Sequence, residues 1–349
     1  MSKLFTNFSE FSEFLEELEE NSSWLNVPPT AITVSPKPCE SIDDILNREY
    51  IVDIDGAEYP VLQGYENTVF ARAQVYGEAL KLLPGEVVAE FVNKAFGVRP
   101  RNELYKTLIR FGKCYAMHSQ KYSPISQLSI FERANGYFDD LFAGAFVDAI
   151  YDEDLTSTYF KLCSKELSRI YTAAFTKAGK PMEFVSFSAR VTTSDVAVSG
   201  ANISLFAAHS NGATIPFGDI RTKHMGENSI VSFGEKLNEV FPLLKKKAQN
   251  MAELAELELA HPQNVLIQLL KKLKISRKIA TVIYDRYCAF EPESDTALNI
   301  LLEISSVLNE MKINKASATQ IVDVEGRIAR LSKLDFTEAD CPGVFTWSA

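Results

Sequence analysis

The chain has 349 residues, of which 46% are hydrophobic and 23% are charged, and its formal net charge is −10. These proportions are typical of a folded protein and exclude disorder throughout, which requires low hydrophobicity and a high net charge. The acidic balance argues against a protein that coats DNA, because non-specific affinity for nucleic acid comes from cations that neutralise phosphates; only a local basic patch remains for that purpose.

Neither a membrane span nor a metal site is predicted. No apolar run reaches the ~20 residues that cross a bilayer, and the first residues lack the apolar segment of a secretory signal. We therefore expect a cytoplasmic protein that does not contact a membrane. The five cysteines are widely spaced and include no Cys-x-x-Cys pair, which predicts reduced thiols rather than a zinc site.

Residues 1–30 form the first predicted unit. Phe8, Phe11 and Phe14 recur at the spacing of one helix face, with glutamates between them, and prolines follow. The pattern predicts an acidic amphipathic helix on an extended tether. Such a helix either packs on its own protein or docks into a groove on a partner.

Residues 40–240 are predicted to form an α+β body. Asp55-Gly56 predicts the turn of a hairpin over 48–63, and Pro60 places its second strand at a sheet edge. Residues 103–122 are ambiguous between helix and strand. The apolar periodicity elsewhere predicts helices over 66–83, 85–96, 124–150 and 155–178. A period of two over 183–233 predicts an antiparallel or mixed sheet.

The last third of the chain is predicted to be helical. The helical region 241–335 precedes an apolar tail over 336–349. The predicted helices cover 233–259, 262–273, 276–290, 293–311 and 316–332. The fold class is therefore α+β, with a central antiparallel or mixed sheet, flanking helices and a helical C-terminal part.

Motifs of known chemistry are missing from the sequence. It contains no glycine-rich phosphate loop, no Gly-x-Ser-x-Gly and no His-Glu-x-x-His. A hydrolase or nuclease would have to use Asp195, His209, His224 and Glu227, but a histidine among polar residues is more often simply hydrogen-bonded. We therefore favour a protein that is not an enzyme, and predict no catalytic residue, cofactor or metal.

Two basic segments are candidate nucleic-acid contacts. The first interleaves cations with tyrosines, a pattern that suits single-stranded nucleic acid, although the rings of an ordinary sheet bury themselves. Lys121 and five candidate contacts supply its positive charge; the candidates are Arg99, Arg101, Lys106, Arg110 and Lys113. The second, 262–290, has the outline of a helix-turn-helix with Arg277 and Lys278 facing outward. Any helical hairpin in a bundle gives the same outline.

Aromatic residues near both ends are candidate contacts to a protein partner or to a second copy, because aromatic anchors suit protein interfaces. They are Phe8, Phe11, Phe14, Phe345 and Trp347.

The stretch 183–241 resembles a family of uncharacterised phage- and plasmid-encoded proteins catalogued as a domain of unknown function. The matching positions are Arg190, Ser194-Asp195, Gly200, Ser210-x-Gly212 and Lys223-His224-x-Gly226. The resemblance implies an origin in a mobile element, with the protein in the host cytoplasm or a virion, and it supplies no activity.

Together these features favour a non-catalytic phage or mobile-element protein. It would act by binding, including binding to nucleic acid during replication, recombination or host takeover. The alternative is a virion or assembly component, or an inhibitor of a host defence complex, that works through protein–protein contacts and self-association.

Overall fold

The computed structural model describes residues 3–38, 49–62, 66–100, 102–143, 145–153, 155–196, 199–222, 229–290, 292–343 and 345. The predicted α+β class with a helical C-terminal region is confirmed. The chain builds two six-stranded sheets rather than one central sheet.

Sheet 1 is antiparallel throughout and has the strand order β1-β8-β9-β10-β11-β12. Its strands are β1 (Lys3–Phe5), β8 (Ala145–Tyr151), β9 (Thr156–Leu162), β10 (Phe184–Thr193), β11 (Ala201–His209) and β12 (Thr214–Thr222).

Sheet 2 has the order β2-β6-β7-β5-β4-β3, and its β5–β7 pair is parallel. Its strands are β2 (Ser22–Val27), β3 (Ile32–Pro36), β4 (Tyr50–Ile54), β5 (Ala57–Val61), β6 (Tyr105–Arg110) and β7 (Lys113–Ser119).

Helices cover sheet 1 and fill the C-terminal third. They are α1 (Phe8–Glu20), α2 (Glu66–Ala73), α3 (Gly85–Gly97), α4 (Gln127–Phe142), α5 (Lys165–Lys177), α6 (Ser229–Leu237), α7 (Val240–Glu256), α8 (Pro262–Lys272), α9 (Arg277–Cys288), α10 (Ala297–Ser305), α11 (Val307–Ile313) and α12 (Ala318–Leu331). Two short strands, β13 (Glu258–Leu259) and β14 (Asp295–Thr296), pair beside them. Within the part of the chain described here, no helix has both the length and the apolar character needed to cross a membrane.

The predicted N-terminal helix is present as α1, and it packs on its own body. Asn7 caps it by accepting a hydrogen bond from the Ser9 amide at 2.8 Å. Phe11 is fully buried in the main core, and Phe8 and Phe14 pack partly buried against that core. These three rings therefore hold the helix to its own sheet. The expected tether after α1 is instead β2 and β3 of sheet 2.

The predicted hairpin around Asp55-Gly56 is confirmed as β4 and β5. The expectation that Pro60 marks a sheet edge is wrong, because β5 lies between β4 and β7. The parallel pairing with β7 is confined to Val61 and Cys114. Pro60 therefore sits beside that pair, where its missing N–H breaks no ladder bond.

The middle of the chain contains more strand than the helical periodicity predicted. The ambiguous segment 103–122 is the β6–β7 hairpin, and the predicted helices 124–150 and 155–178 are α4 followed by β8 and β9 followed by α5. Helix α4 ends where Ala143 adopts a left-handed backbone with φ 44°. Only glycine favours that conformation, so the sequence gives no signal for the end of this helix.

Each sheet has its own core, and a small apolar seam joins them. The inner face of sheet 1 packs with the surrounding helices into one continuous core, whereas sheet 2 packs against α2 and α3. The seam consists of Leu108, Tyr115 and Ala116 of sheet 2 together with Val196, which follows β10.

Candidate functional site

The outer face of sheet 1 carries both polar and apolar side chains, and along β8, β9 and β10 it is open. Along β10, Phe187, Ala189 and Val191 face the core, and the intervening Ser188 and Arg190 face outward. A register shift between Phe184 and Ser186 puts Phe184 in the core as well, contrary to the strict alternation predicted from the sequence. Ser157, Tyr159 and Lys161 continue the outward face on β9.

This outer face forms the floor of a groove of about 650 Å³, within the range of small-ligand sites. Hydroxyl groups of Ser157, Ser186 and Ser188 line the floor. One wall comes from β8 and the other from the region of α11 and α12, where Lys312 and Ile321 line the groove. Over β11 and β12 the same face is closed by α12, which leaves only about 30 Å³.

Arg190 fixes one wall of the groove. Its guanidinium pairs with Glu325 of α12 and donates to the Tyr159 hydroxyl at 2.9 Å from Nη1. The same guanidinium lies 5.3 Å from the centre of the Phe206 ring. Arg190 and Glu325 are both buried. A buried pair of this kind holds α12 in one position on the sheet, because separating it would leave two charges without a partner.

The groove also has a charged mouth. Lys161 and Lys312 are exposed, whereas Asp148 on the β8 wall is half-buried, and burial raises the pKa of its carboxyl group. Sequence reasoning missed Tyr159 and Lys161 because the alternation of residues 157–161 was interpreted as part of a helix.

A basic surface, the basic corner, adjoins the groove. It comprises Lys271, Lys272, Lys274, Arg277, Lys278, Lys312 and Lys315, all exposed. Residues 262–278 contain five of these cations and no Asp or Glu, and residues 311–320 contain the other two and again no Asp or Glu. The two segments meet where Lys278 Nζ donates to Asn314 Oδ1 at 3.0 Å. Lys312 belongs to both the basic corner and the groove.

The two helices expected over 262–290 are present as the packed pair α8 and α9. Arg277 and Lys278 face outward at the start of α9, as predicted. The buried face of α9 consists of Ala280, Ile283 and Tyr287, while the apolar Val282 is 44% exposed.

The other basic segment is divided by burial. Lys113 is exposed and Lys106 half-buried, while Arg99 donates from Nη2 to the Arg72 carbonyl at 3.1 Å. Arg101 lies outside the described residues. Arg110 is buried, so its expected place on a nucleic-acid surface is wrong. It is a structural cation whose partner is a carboxylate far away in the sequence.

That carboxylate is Asp195, the centre of a buried polar network. Its Oδ2 accepts from Arg110 Nη2 at 2.8 Å and from Gln127 Nε2 at 2.6 Å. Its backbone oxygen lies 2.6 Å from His118 Nε2. Burial lowers the pKa of His118, and the bond to Asp195 opposes that change. The network joins sheet 2, α4 and the end of β10.

Asp195 and His209, the two described residues of the group that a hydrolase would need, lie far apart. His209 is opposite Phe184 at one end of the β10–β11 pair, and its Nε2 lies 3.2 Å from Glu183 Oε2. Asp195 follows the other end of β10, roughly 30 Å away along the strand at about 3.3 Å per residue. His224 and Glu227 lie outside the described residues.

Of the two aromatic candidates in the C-terminal tail, Phe345 is half-buried and Trp347 lies outside the described residues.

Sequence reasoning also missed a buried lysine. Lys247 Nζ donates to Ser332 Oγ at 2.6 Å, and the two residues are 3% and 5% exposed. Ser332 caps the C-terminus of α12, where a helix dipole favours a cation. Helical spacing distinguishes Lys247 from its exposed neighbours Lys245 and Lys246, because it lies three residues after Leu244 and four before Met251 on the buried face of α7.

Comparison with protein-family models, with curated proteins and with solved structures found no match for this chain.

Proposed function

We propose that this protein acts by binding single-stranded nucleic acid, without catalysing a reaction, as a phage or mobile-element protein of the host cytoplasm that takes part in replication or recombination. The observation that carries the proposal is the continuity between the basic corner and the groove through Lys312.

The basic corner supplies the electrostatic part of the binding. Affinity for nucleic acid comes mainly from cations that displace counterions from phosphates, and the basic corner concentrates seven exposed cations from two segments without Asp or Glu in a chain of net charge −10. A protein of this charge repels nucleic acid elsewhere, which orients the strand toward the corner.

The groove supplies the preference for a single strand. Proteins that bind single strands combine a cationic track with a surface that receives individual bases. A groove with a floor of small hydroxyl groups fits one chain of nucleotides, whereas a duplex keeps its bases stacked and paired away from such a floor.

Fluorescence anisotropy with single-stranded and duplex oligonucleotides of about 16 nucleotides tests the proposal. We expect tighter binding to the single strand, with affinity falling steeply between about 50 and 200 mM salt. The double variant Arg277→Glu/Lys278→Glu is expected to weaken binding at least about tenfold and to flatten the salt dependence, because phosphate contacts are lost.

The matched control is Lys106→Glu/Lys113→Glu, which changes the net charge equally at the other predicted segment. We expect it to bind like the wild type. Equal losses in both double variants, or a loss in the control alone, would contradict the assignment to the basic corner. Absence of binding at low salt would remove the proposal altogether.

A further inference from the structure

Sheet 2 has two outer edges, and the described part of the chain closes only one of them. At the β3 edge, Asn93 of α3 bonds to both backbone groups of Val34. Its Oδ1 accepts from the Val34 amide at 2.7 Å, and its Nδ2 donates to the Val34 carbonyl at 2.8 Å. This side chain therefore takes the place of a further strand. The opposite edge is β2, and among the described strands only β6 pairs with it.

The hydrogen-bond pattern of β2 shows which of its backbone groups point outward. Phe111 N donates to Asn21 O at 3.0 Å, one position before β2 begins. Bonding alternates along an antiparallel pair, so every second residue of β2, starting from Ser23, bonds to β6. The N–H and C=O groups of Trp24 and Asn26 therefore point away from the sheet, and they form no hydrogen bond to any other described residue.

This edge lacks the features that usually keep sheet edges from pairing, which are charged side chains, prolines, bulges or a covering segment. The strand reads Ser-Ser-Trp-Leu-Asn-Val, without a charge or a proline, and its register with β6 is continuous. Trp24 packs against the seam, and its ring lies 5.4 Å from the ring of Tyr122. The edge is therefore preorganised, which lowers the entropic cost of adding a strand.

The charges at the two ends of β2 favour a second copy of this chain as the added strand. The strand follows directly on the exposed Glu17 and Glu20 at the end of α1. Near its other end lie Lys106 on β6 and the exposed Lys121, whose neighbour Tyr122 contacts β2. Two copies of β2 in antiparallel orientation place the acidic end of each beside the basic end of the other, so the attraction occurs twice.

We infer that two copies of this protein associate through β2, and that the strands pair antiparallel about a two-fold axis at Trp24. This register uses all three outward-pointing residues of the strand, with Trp24 opposite Trp24 and Ser22 opposite Asn26. The six-stranded sheets of the two copies then become continuous. The inference is independent of the proposed function, because each copy keeps its own basic corner.

Sedimentation velocity over a range of protein concentrations tests the inference. We expect a monomer–dimer equilibrium for the wild type. Glu20→Lys and Lys121→Glu should each weaken dimerisation at least about tenfold, because each brings like charges together at both ends of the contact. An equimolar mixture of the two variants should restore dimerisation, because every introduced charge then faces its opposite on the other chain.

Lys165→Glu is the matched control for charge. Lys165 is exposed at the start of α5, which packs on α7, and we expect its substitution to leave dimerisation unchanged. Asn26→Pro tests the backbone contact, because it removes an outward-pointing amide that sheet 2 does not use. This variant should remain monomeric, and it should melt like the wild type at a concentration where both are monomers.

Three results would overturn the inference. They are a wild type that stays monomeric at every concentration, dimerisation that the mixture of charge variants fails to restore, and a folded Asn26→Pro variant that still dimerises. Equal weakening by Lys165→Glu would likewise show that net charge, and not the β2 edge, controls association.

Discussion

Buried charges distinguish this protein at the scale of single residues. Arg110, Arg190 and Lys247 are each at most 4% exposed, and each has a defined oxygen partner. Arg110 and Arg190 each pair with a carboxylate, whereas Lys247 donates to a hydroxyl group, and Lys246 and Lys333 lie nearby. Lys247 is therefore the buried charge that the fold compensates least.

We expect Lys247 to make stability depend on pH. Burial lowers the pKa of Lys247 from 10.5 to about 8, and the neighbouring lysines add to the effect. The folded pKa is below the unfolded one, so the unfolded chain binds more protons between these values. Stability relative to Lys247→Met should therefore rise from pH 8 to pH 10.5, by at most about 3 kcal/mol at about 1.4 kcal/mol per pKa unit.

Urea unfolding of both proteins at several pH values measures this difference. Lys245→Met, at an exposed neighbouring position, is the control, and its difference from the wild type should not vary in this window. A flat difference for Lys247→Met would show that this ammonium group is as well solvated in the folded protein as in the unfolded chain.

Single residues also show which positions the sequence could predict and which it could not. The outward positions of Arg277 and Lys278 were predictable, because helical spacing fixes which residues of α9 share a face. The burial of Arg110 was not, because its partner Asp195 is 85 positions away and long-range pairing has no local pattern. The same holds for Lys312, whose place at the groove depends on how α11 and α12 meet the sheet.

At the scale of elements, local turn chemistry was the most informative signal. Asp55-Gly56 marked a real hairpin because both residues adopt a positive φ, of 53° and 86°. Strands β8 and β9 were missed because apolar residues at helical spacing run past the end of α4. Thr156, Thr158 and Tyr159 have the β-branched and aromatic side chains typical of strands, but that preference is weaker than the surrounding periodicity.

The buried face of helix α1 is expected to contribute to stability rather than to partner binding. Phe11→Ala should lower the free energy of unfolding by about 3–5 kcal/mol, because it empties a fully buried aromatic site. Leu4→Ala is the control: Leu4 is 65% exposed, and its truncation should change stability by less than about 0.5 kcal/mol. A loss below about 1 kcal/mol for Phe11→Ala would mean that the helix leaves the body easily.

At the scale of the whole molecule, two sheets with separate cores are joined by a narrow contact. The seam of Leu108, Tyr115, Ala116 and Val196 is small, and the Asp195 network lies beside it. The connection between the sheets therefore combines a small apolar contact with the polar contacts to one carboxylate.

Asp195→Asn is expected to lower the free energy of unfolding by about 3–5 kcal/mol, because it keeps the shape of the side chain and leaves the Arg110 guanidinium buried without its counter-charge. Glu49→Gln is the matched control, since its pair with Lys37 is exposed and exposed pairs contribute at most about 1 kcal/mol. Urea unfolding followed by tryptophan fluorescence measures both. Similar losses of unfolding free energy in the two variants would contradict the expectation that the buried Arg110–Asp195 pair stabilises the fold more than an exposed pair does.

The path of the first 36 residues determines the order in which the strands can pair during synthesis. Strand β1 belongs to sheet 1, and β2 and β3 belong to sheet 2, so the start of the chain crosses from one sheet to the other. The partner of β1 is β8, which ends at Tyr151. All strands of sheet 2 have been synthesised once the nascent chain reaches residue 119. The partner strand of β1 is complete only some thirty residues later, at residue 151. During that interval α1 lacks β8 and, until residue 142 has been made, also lacks the complete α4, so its phenylalanines are exposed to chaperones.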